Sequence, residues 1–331
     1  MSENFVLGMD IGYSNLKVAM GYKDQAMETK ILPVGAAPIT FMPRTVTGGY
    51  GTTGGFVQVL VDDEQWVAGV EPERLQGWER ELHASYPETK QYRALLYAAL
   101  ALTGKKVIDT LVTGLPVSQF IVPEHRTSLE NMIKGKHRIS EKIEIEVKNV
   151  VVVPQPAGAY MDITSKVDET IEALINEGKT IVIDPGFFSV DWVALEEGEI
   201  RFEFSGTSLK AMSVLLEKAC LLIRNKYGGD LSMEKIEKAI RSGKSEIPLY
   251  GEMVNFIPYI DEALIEVSKD ALTALKKTLR SDGLDADVVL LAGGGAESYK
   301  AAAKEIFPKS RIVVSDDPVM ANARGFWHIA E

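Results

Sequence analysis

Two aspartates, each set between an apolar run and a glycine, are the residues of this chain best suited to chemistry. The segment Gly8-Met9-Asp10-Ile11-Gly12-Tyr13-Ser14-Asn15-Leu16-Lys17 reads as a strand delivering Asp10 at its end, a turn permitted by Gly12, and a returning strand. The N–H groups of such a turn, with Ser14 and Asn15, grip phosphate oxygens, and Lys17 supplies a positive charge. A second segment, Ile183-Asp184-Pro185-Gly186-Phe187-Phe188-Ser189-Val190-Asp191, repeats the form. Singly, each also describes an ordinary polar hairpin. Together, brought to one place, the two carboxylates repel unless a cation lies between them. Mg²⁺, held by one or two carboxylates, water and nucleotide phosphates, has that chemistry.

Two further segments fit the same use. Gln155, in Val153-Pro154-Gln155-Pro156-Ala157-Gly158-Ala159, follows a buried strand, where a side-chain amide orients a water for in-line attack on a γ-phosphate. By itself the motif is equally a proline-flanked turn. Gly293, Gly294 and Gly295 follow the apolar strand 288–291 and let backbone approach a flat ring or a phosphate. The spacing is not the dinucleotide fingerprint, because G-x-G-x-x-G with an acid about 20 residues on is missing. The glycine-rich stretch 47–55 lacks Gly-Lys-Ser/Thr and a following helix, so it reads as a surface loop and not a Walker loop.

The elements that must position these residues follow from periodicity and punctuation. Strands are expected at 5–9 and 16–21, a hairpin at 57–61 and 65–70, a helix at 92–102 ended by Gly104, and a strand at 107–113. A short helix at 126–133 and two strands, 143–147 and 149–153, complete the first half. The second half opens with a helix at 171–176, a strand at 180–184 and a hairpin, 189–195 and 199–204, turning at Glu197-Gly198. Helices at 209–227, 233–241 and 259–279, the strand 288–291 and a last helix from 319 to 326 follow. Each half thus starts with strand, Asp-x-Gly turn and returning strand, a duplication of a whole domain and not a short-period repeat. Two such domains leave a cleft, the usual seat of a small ligand.

In this order and spacing the segments resemble the five motifs of the actin, sugar-kinase and heat-shock-chaperone ATPase superfamily. Residues 8–17 match phosphate 1, 154–159 connect 1, 183–191 phosphate 2, 290–296 the adenosine motif and 319–325 connect 2. Within it the chain is most similar to bacterial and plasmid actin-like proteins of the ParM/StbA type, which Val112-Thr113-Gly114-Leu115-Pro116-Val117 and Trp66-Val67-Ala68-Gly69 support. The resemblance implies an α/β fold of two actin-like (ribonuclease H-like) domains flanking a nucleotide cleft, one of residues 1–157 with 319–331 and one of 158–318. It implies that Asp10 and Asp184 hold Mg²⁺ largely through water, that Gln155 positions the water, and that Ser14, Asn15, Lys17 and the turn of Gly186, Phe187 and Ser189 contact β- and γ-phosphates. Gly293, Gly294 and Gly295 would pack on base and ribose, with Glu234, Lys235 or Lys238 as further partners. The implied activity is hydrolysis of ATP, or GTP, by a protein that polymerises with itself and segregates plasmid or other DNA through an adaptor protein. A nucleotide-gated scaffold that forms no filament and a small-molecule kinase of the same superfamily are the alternatives. The chain departs from the pattern at Pro185, Phe187 and Phe188, which leave Ser189 as the one hydroxyl of phosphate 2, and at Gln155, where some relatives carry Glu. These departures bear on the rate of hydrolysis more than on binding.

Composition narrows the partners. The 331 residues are 46% hydrophobic and 25% charged, enough to build two ordinary cores. A net charge of −11 argues against a broad nucleic-acid or anionic-lipid face. The densest basic cluster, Lys134, Lys136, His137 and Arg138, reads as a solvated turn or helix end. The single cysteine, Cys220, falls in an apolar helical run and forms no disulfide within the chain, which favours a reducing compartment. The first ten residues lack a basic signal-peptide start, and no apolar run approaches about 20 residues, so a cytoplasmic location is expected. His83, His125, His137 and His328 have no metal-ligand spacing.

Overall fold

The computed structural model describes residues 4–44, 49–50, 55–81, 83, 85–209, 211–280 and 285–330. The expected loop at 47–55 falls largely outside them. The chain forms two compact units, Met1–Asp168 with Ser315–Glu331, and Glu169–Val314.

The first unit is built on β1 (Phe5–Ile11), β2 (Asn15–Tyr22) and β3 (Glu28–Pro33). A separate three-stranded sheet follows, of β4 (Gly35–Pro38), β5 (Val57–Val61) and β6 (Glu64–Val70), and then α1 (Lys90–Leu102). The main sheet resumes with β7 (Val107–Leu115), α2 (Val117–Phe120), α3 (Pro123–Ile133), β8 (Gly135–Arg138), β9 (Glu144–Pro154) and α4 (Gln155–Thr164). Its order is β3-β2-β1-β7-β9-β8, with β1, β7 and β9 parallel. β1 is buried along its whole length, and a strand covered on both faces reads as a continuous apolar run. Leu7, Met9 and Ile11 share a core with Leu95, Leu96 and Ala99 of α1. Thr89 starts that helix earlier than expected, its hydroxyl accepting the Tyr92 N–H at 3.2 Å. The two strands expected between 143 and 153 are one. Lys148 and Asn149 do not break it because they bond to β7, at Asp109 Oδ1 (2.7 Å) and the Asp109 carbonyl (3.0 Å).

The second unit runs α5 (Glu169–Glu177), β10 (Lys179–Pro185), β11 (Val190–Glu196), β12 (Glu199–Ser208), α6 (Met212–Tyr227) and α7 (Met233–Arg241). It continues through the two-stranded sheet β13 (Glu246–Leu249) and β14 (Glu252–Asn255), then α8 (Ile257–Arg280), β15 (Val288–Leu291), α9 (Ala296–Ile306) and β16 (Arg311–Val314). Its main sheet has the order β12-β11-β10-β15-β16, the same as β3-β2-β1-β7-β9 of the first unit. The expected duplication is therefore one of topology. Ile181, Ile183, Val289 and Leu291 form a core with α8 and α9, and Leu215, Leu216, Ile236 and Phe256 form a second between α6, α7 and the small sheet. The β11–β12 hairpin turns at Glu197 and Gly198 with φ of 51° and 77°, the left-handed pair of a two-residue turn. α6 begins three residues later than expected because β12 stays paired with β11 through Thr207 and Ser208. Cys220 lies in this helix, and burial pushes its thiol up to about 11, so it behaves as a small apolar side chain.

The chain leaves the first unit after α4 and returns at Ser315, whereas the sequence placed these passages at 157/158 and 318/319. α4 stays with the first unit because it lies along α10 (Ala321–Ile329), with Gly158 against Gly325.

Candidate functional site

In each unit the candidate acid is the penultimate residue of the central strand: Asp10 of β1 and Asp184 of β10. Both are buried, at 2% and 6% exposure. The turns that follow close in the same way. The Gly12 N–H donates to the Asn15 carbonyl at 3.0 Å, and the Gly186 N–H to the Ser189 carbonyl at 2.8 Å. Neither glycine has a left-handed backbone. A Cβ on Gly12 would find only ordinary contacts, with the Asn15 carbonyl and Lys17 Nζ, so the turn itself makes no steric demand for glycine there.

The returning strands differ. Opposite Asp10 stands Lys17, whose Nζ is 2.6 Å from Asp10 Oδ2. Gln155, the first residue of α4, donates from Nε2 to Asp10 Oδ1 at 3.4 Å. Asp10, Lys17 and Gln155 are thus brought together as expected, with Ser14 and Asn15 on the adjoining turn. The Asn15 amide donates to Ser14 Oγ at 3.1 Å. Tyr13 anchors that turn: its carbonyl accepts from Arg80 at 2.6 Å and its ring stacks on Tyr86 at 4.7 Å.

Opposite Asp184 stands Asp191, so two carboxylates face each other across neighbouring strands. Like charges in that position are unfavourable. Asp191 is stabilised by two hydroxyls at 2.6 Å each: Ser189 Oγ donates to Oδ2 and Thr207 Oγ1 to Oδ1. Thr207 supplies the second hydroxyl that the sequence of this turn lacked. It comes from β12, and only the strand register reveals it. Asp191 is visible in the motif, but its place opposite Asp184 follows only from the strand register. The Ser189 hydroxyl is turned to Asp191. The Phe187 ring packs into the core between α6 and α7. The carbonyls of Gly186 and Phe187 accept the first amides of α6, Met212 (3.4 Å) and Ser213 (2.8 Å), docking the turn on that helix.

Gly293, Gly294 and Gly295 prove unequal. Gly293 has φ of 80°, and a Cβ on it would overlap Asp184 Oδ1; one on Gly295 would meet Pro185 at 3.0 Å. These two let the end of β15 close on the acid, and Gly295 donates to the Pro185 carbonyl at 2.8 Å. Gly294 alone is exposed and open, so it is the one free to approach a ring. Glu234 and Lys238 stand on α7, which packs on α6 and β13. That sets them in the layer of α6, α7 and the small sheet and not on the sheet that carries Asp184. Lys238 lines a cavity of about 470 Å³ with Lys235, Ala239, Ser242 and Ile247.

Two cations of the basic cluster are paired with acids of other elements. Arg138 meets Asp63 at 3.2 Å, Lys136 meets Glu144 at 3.6 Å, and His137 is buried. Among the described residues no three His, Cys, Asp or Glu side chains gather as a metal cage, and no helix is long and apolar enough to cross a membrane.

The family model for the N-terminal domain of actin-like proteins matches residues 8–158, and that for the C-terminal domain of the archaeal actin homologue, MreB-like, matches 182–305. No curated protein sequence matches the chain. Among solved structures, a non-polymerisable quadruple mutant of pCBH ParM is 20% identical, with 98% of each chain covered and a TM-score of 0.74. A 15-stranded ParM filament from Clostridium botulinum gives 20%, 98% of each chain and 0.73. The archaeal actin homologue Ta0583 in complex with ADP gives 16%, 98% of each chain and 0.74.

Proposed function

The chain belongs to the actin-like proteins, with the two-domain fold that ParM and archaeal actin homologues share, and from that premise we propose that it binds and hydrolyses a nucleoside triphosphate and assembles into filaments. The observation that carries this reading is the repeated turn: one buried acid at the same strand position in each unit, followed by a turn closed in the same way by a glycine N–H. We take both turns to act on one nucleotide. ATP is the first candidate and GTP the second. The N–H groups of the two turns, with Ser14 and Asn15, bind the β- and γ-phosphates. Lys17, now beside Asp10, carries the charge that a γ-phosphate attracts. Gln155 holds the attacking water in line, its amide already facing Asp10. Gly294 gives the base its close approach.

Asp10 and Asp184 offer the hard carboxylate oxygens that suit Mg²⁺, which takes few protein ligands and keeps water and phosphate oxygens for the rest. Bound there, the ion would supply positive charge against the charge developing on the transferred phosphoryl group. Loss of the γ-phosphate then times the filament by changing closure and subunit contacts. An adaptor protein carrying plasmid or other DNA is the proposed cargo link, since the net charge of −11 does not favour direct DNA contact. The setting is taken to be cytoplasmic.

A second reading, a nucleotide-gated scaffold with little turnover, is favoured by one observation: Ser189 is committed to Asp191 and Phe187 to the core. Light scattering with ATP, with ADP and without nucleotide, alongside phosphate release, separates the two. Hydrolysis with polymerisation predicts scattering that rises with ATP and phosphate that follows it. Scattering indifferent to nucleotide would overturn the filament reading, and equal phosphate release by Asp184→Ala would overturn the site.

A further inference from the structure

Asp162 has no exposed surface, yet it is a carboxylate in the last turn of a helix, seven residues after Gln155 on α4. Residues seven apart lie on one helix face, so whatever fixes Asp162 fixes the rotation at which Gln155 is presented. Arg324 of α10 grips it with a fork, Nε to Oδ1 at 2.8 Å and an Nη2 to Oδ2 at 2.6 Å. Lys166 adds a contact to Oδ1 at 2.8 Å, and Ser315 Oγ lies 3.4 Å from Oδ2. Arg324 also donates to the Asp317 carbonyl at 3.0 Å and to its carboxylate at 3.2 Å. One buried acid thus ties α4, α10 and the returning segment at Ser315 and Asp317.

The same two helices touch at their glycines. A Cβ on Gly325 would overlap the Gly158 carbonyl, and one on Gly158 would meet the Phe326 ring and the Asn322 carbonyl. Gly114 of β7 carries the contact to the catalytic end, since a Cβ there would meet Phe326 at 2.5 Å and Gln155 at 2.9 Å. The path from Asp162 to Gln155 therefore runs through helix pitch and the seat of Phe326, with no slack for α4 to turn.

We infer that Asp162 and Arg324 are positioning residues for hydrolysis, holding α4 against α10 at the rotation that keeps the Gln155 amide at Asp10. This rests on the hydrolytic reading above. A misplaced water-orienting group costs turnover more than binding.

Arg324→Lys keeps the cation but removes the fork. It is expected to lower single-turnover phosphate release about tenfold while nucleotide affinity changes less than about threefold, the signature of lost positioning. Adding Asp162→Glu, whose longer stem reaches the shorter cation, should restore much of the rate. Lys166→Ala, which removes a half-exposed partner, should leave it unchanged. Hydrogen exchange over residues 155–164 should rise in Arg324→Lys and not in Lys166→Ala, whether or not the protein hydrolyses anything. Unaltered exchange, or rate and affinity falling together with the unfolding midpoint, overturns the inference. A wild type that releases no phosphate while Arg324→Lys still loosens 155–164 overturns the hydrolytic reading and keeps the positioning of α4.

Discussion

Lys17 and Asp191 occupy the same place in the two halves, each directly across the sheet from the candidate acid, and they impose opposite electrostatics. Lys17 answers Asp10 with an ion pair, whereas Asp191 adds a second negative charge beside Asp184 and must be held by hydroxyls. Hydrogen bonds to a buried carboxylate favour its charged form, so Ser189 and Thr207 are what make that second charge tolerable. Thr207→Val keeps shape and removes one donor. A hydrogen bond to a charged group contributes about 1.5–3 kcal/mol, and urea unfolding should show a loss in that range. A change within experimental error would mean that the Thr207 contact contributes nothing.

Elements were legible where the signal is local. α7 runs from Met233 to Arg241 as its apolar spacing predicts, and β15 from Val288 to Leu291 as its apolar run does. The turns after Asp10 and Asp184 were legible because Asp-x-Gly between apolar runs is a local pattern. What stayed hidden is the long-range pairing: Thr207 beside Asp191, Arg324 on Asp162, and Gly293 against Asp184 depend on register and helix contacts that no window of sequence contains. The basic cluster shows the same limit, since its lysine and arginine partners lie on other elements. Within it, His137 on β8 is buried, with Nε2 donating to the Ile133 carbonyl at 2.6 Å at the end of α3. Burial holds this imidazole below its ordinary 6.5, and burial does the same to His328. The unfolded chain therefore takes up protons near pH 6.5 that the folded one refuses, so the stability tied to these groups is full above 6.5 and is lost as pH falls below it. The urea midpoint is expected to fall between pH 7.5 and pH 5.5, and to fall less in His137→Gln. An equal fall in both proteins would take His137 out of the account.

At the scale of the molecule, two units with separate cores make two cooperative blocks. A chain of this kind unfolds in steps unless something binds both blocks in their folded form. If the nucleotide contacts the turn after Asp10 and the turn after Asp184, it is such a ligand, and its binding energy is shared by both transitions. One site filled at a hundred times its dissociation constant adds about 2.7 kcal/mol to the folded state. Calorimetry with ATP and Mg²⁺ is therefore expected to raise both transitions and draw them together, with hydrogen exchange assigning each to its unit. Asp184→Ala should uncouple them by weakening the hold on the second unit, leaving the first near its nucleotide-free position as well. Were only one transition to rise in the wild type, the nucleotide would be held by a single turn, and the duplication would be an inheritance of fold without a shared site.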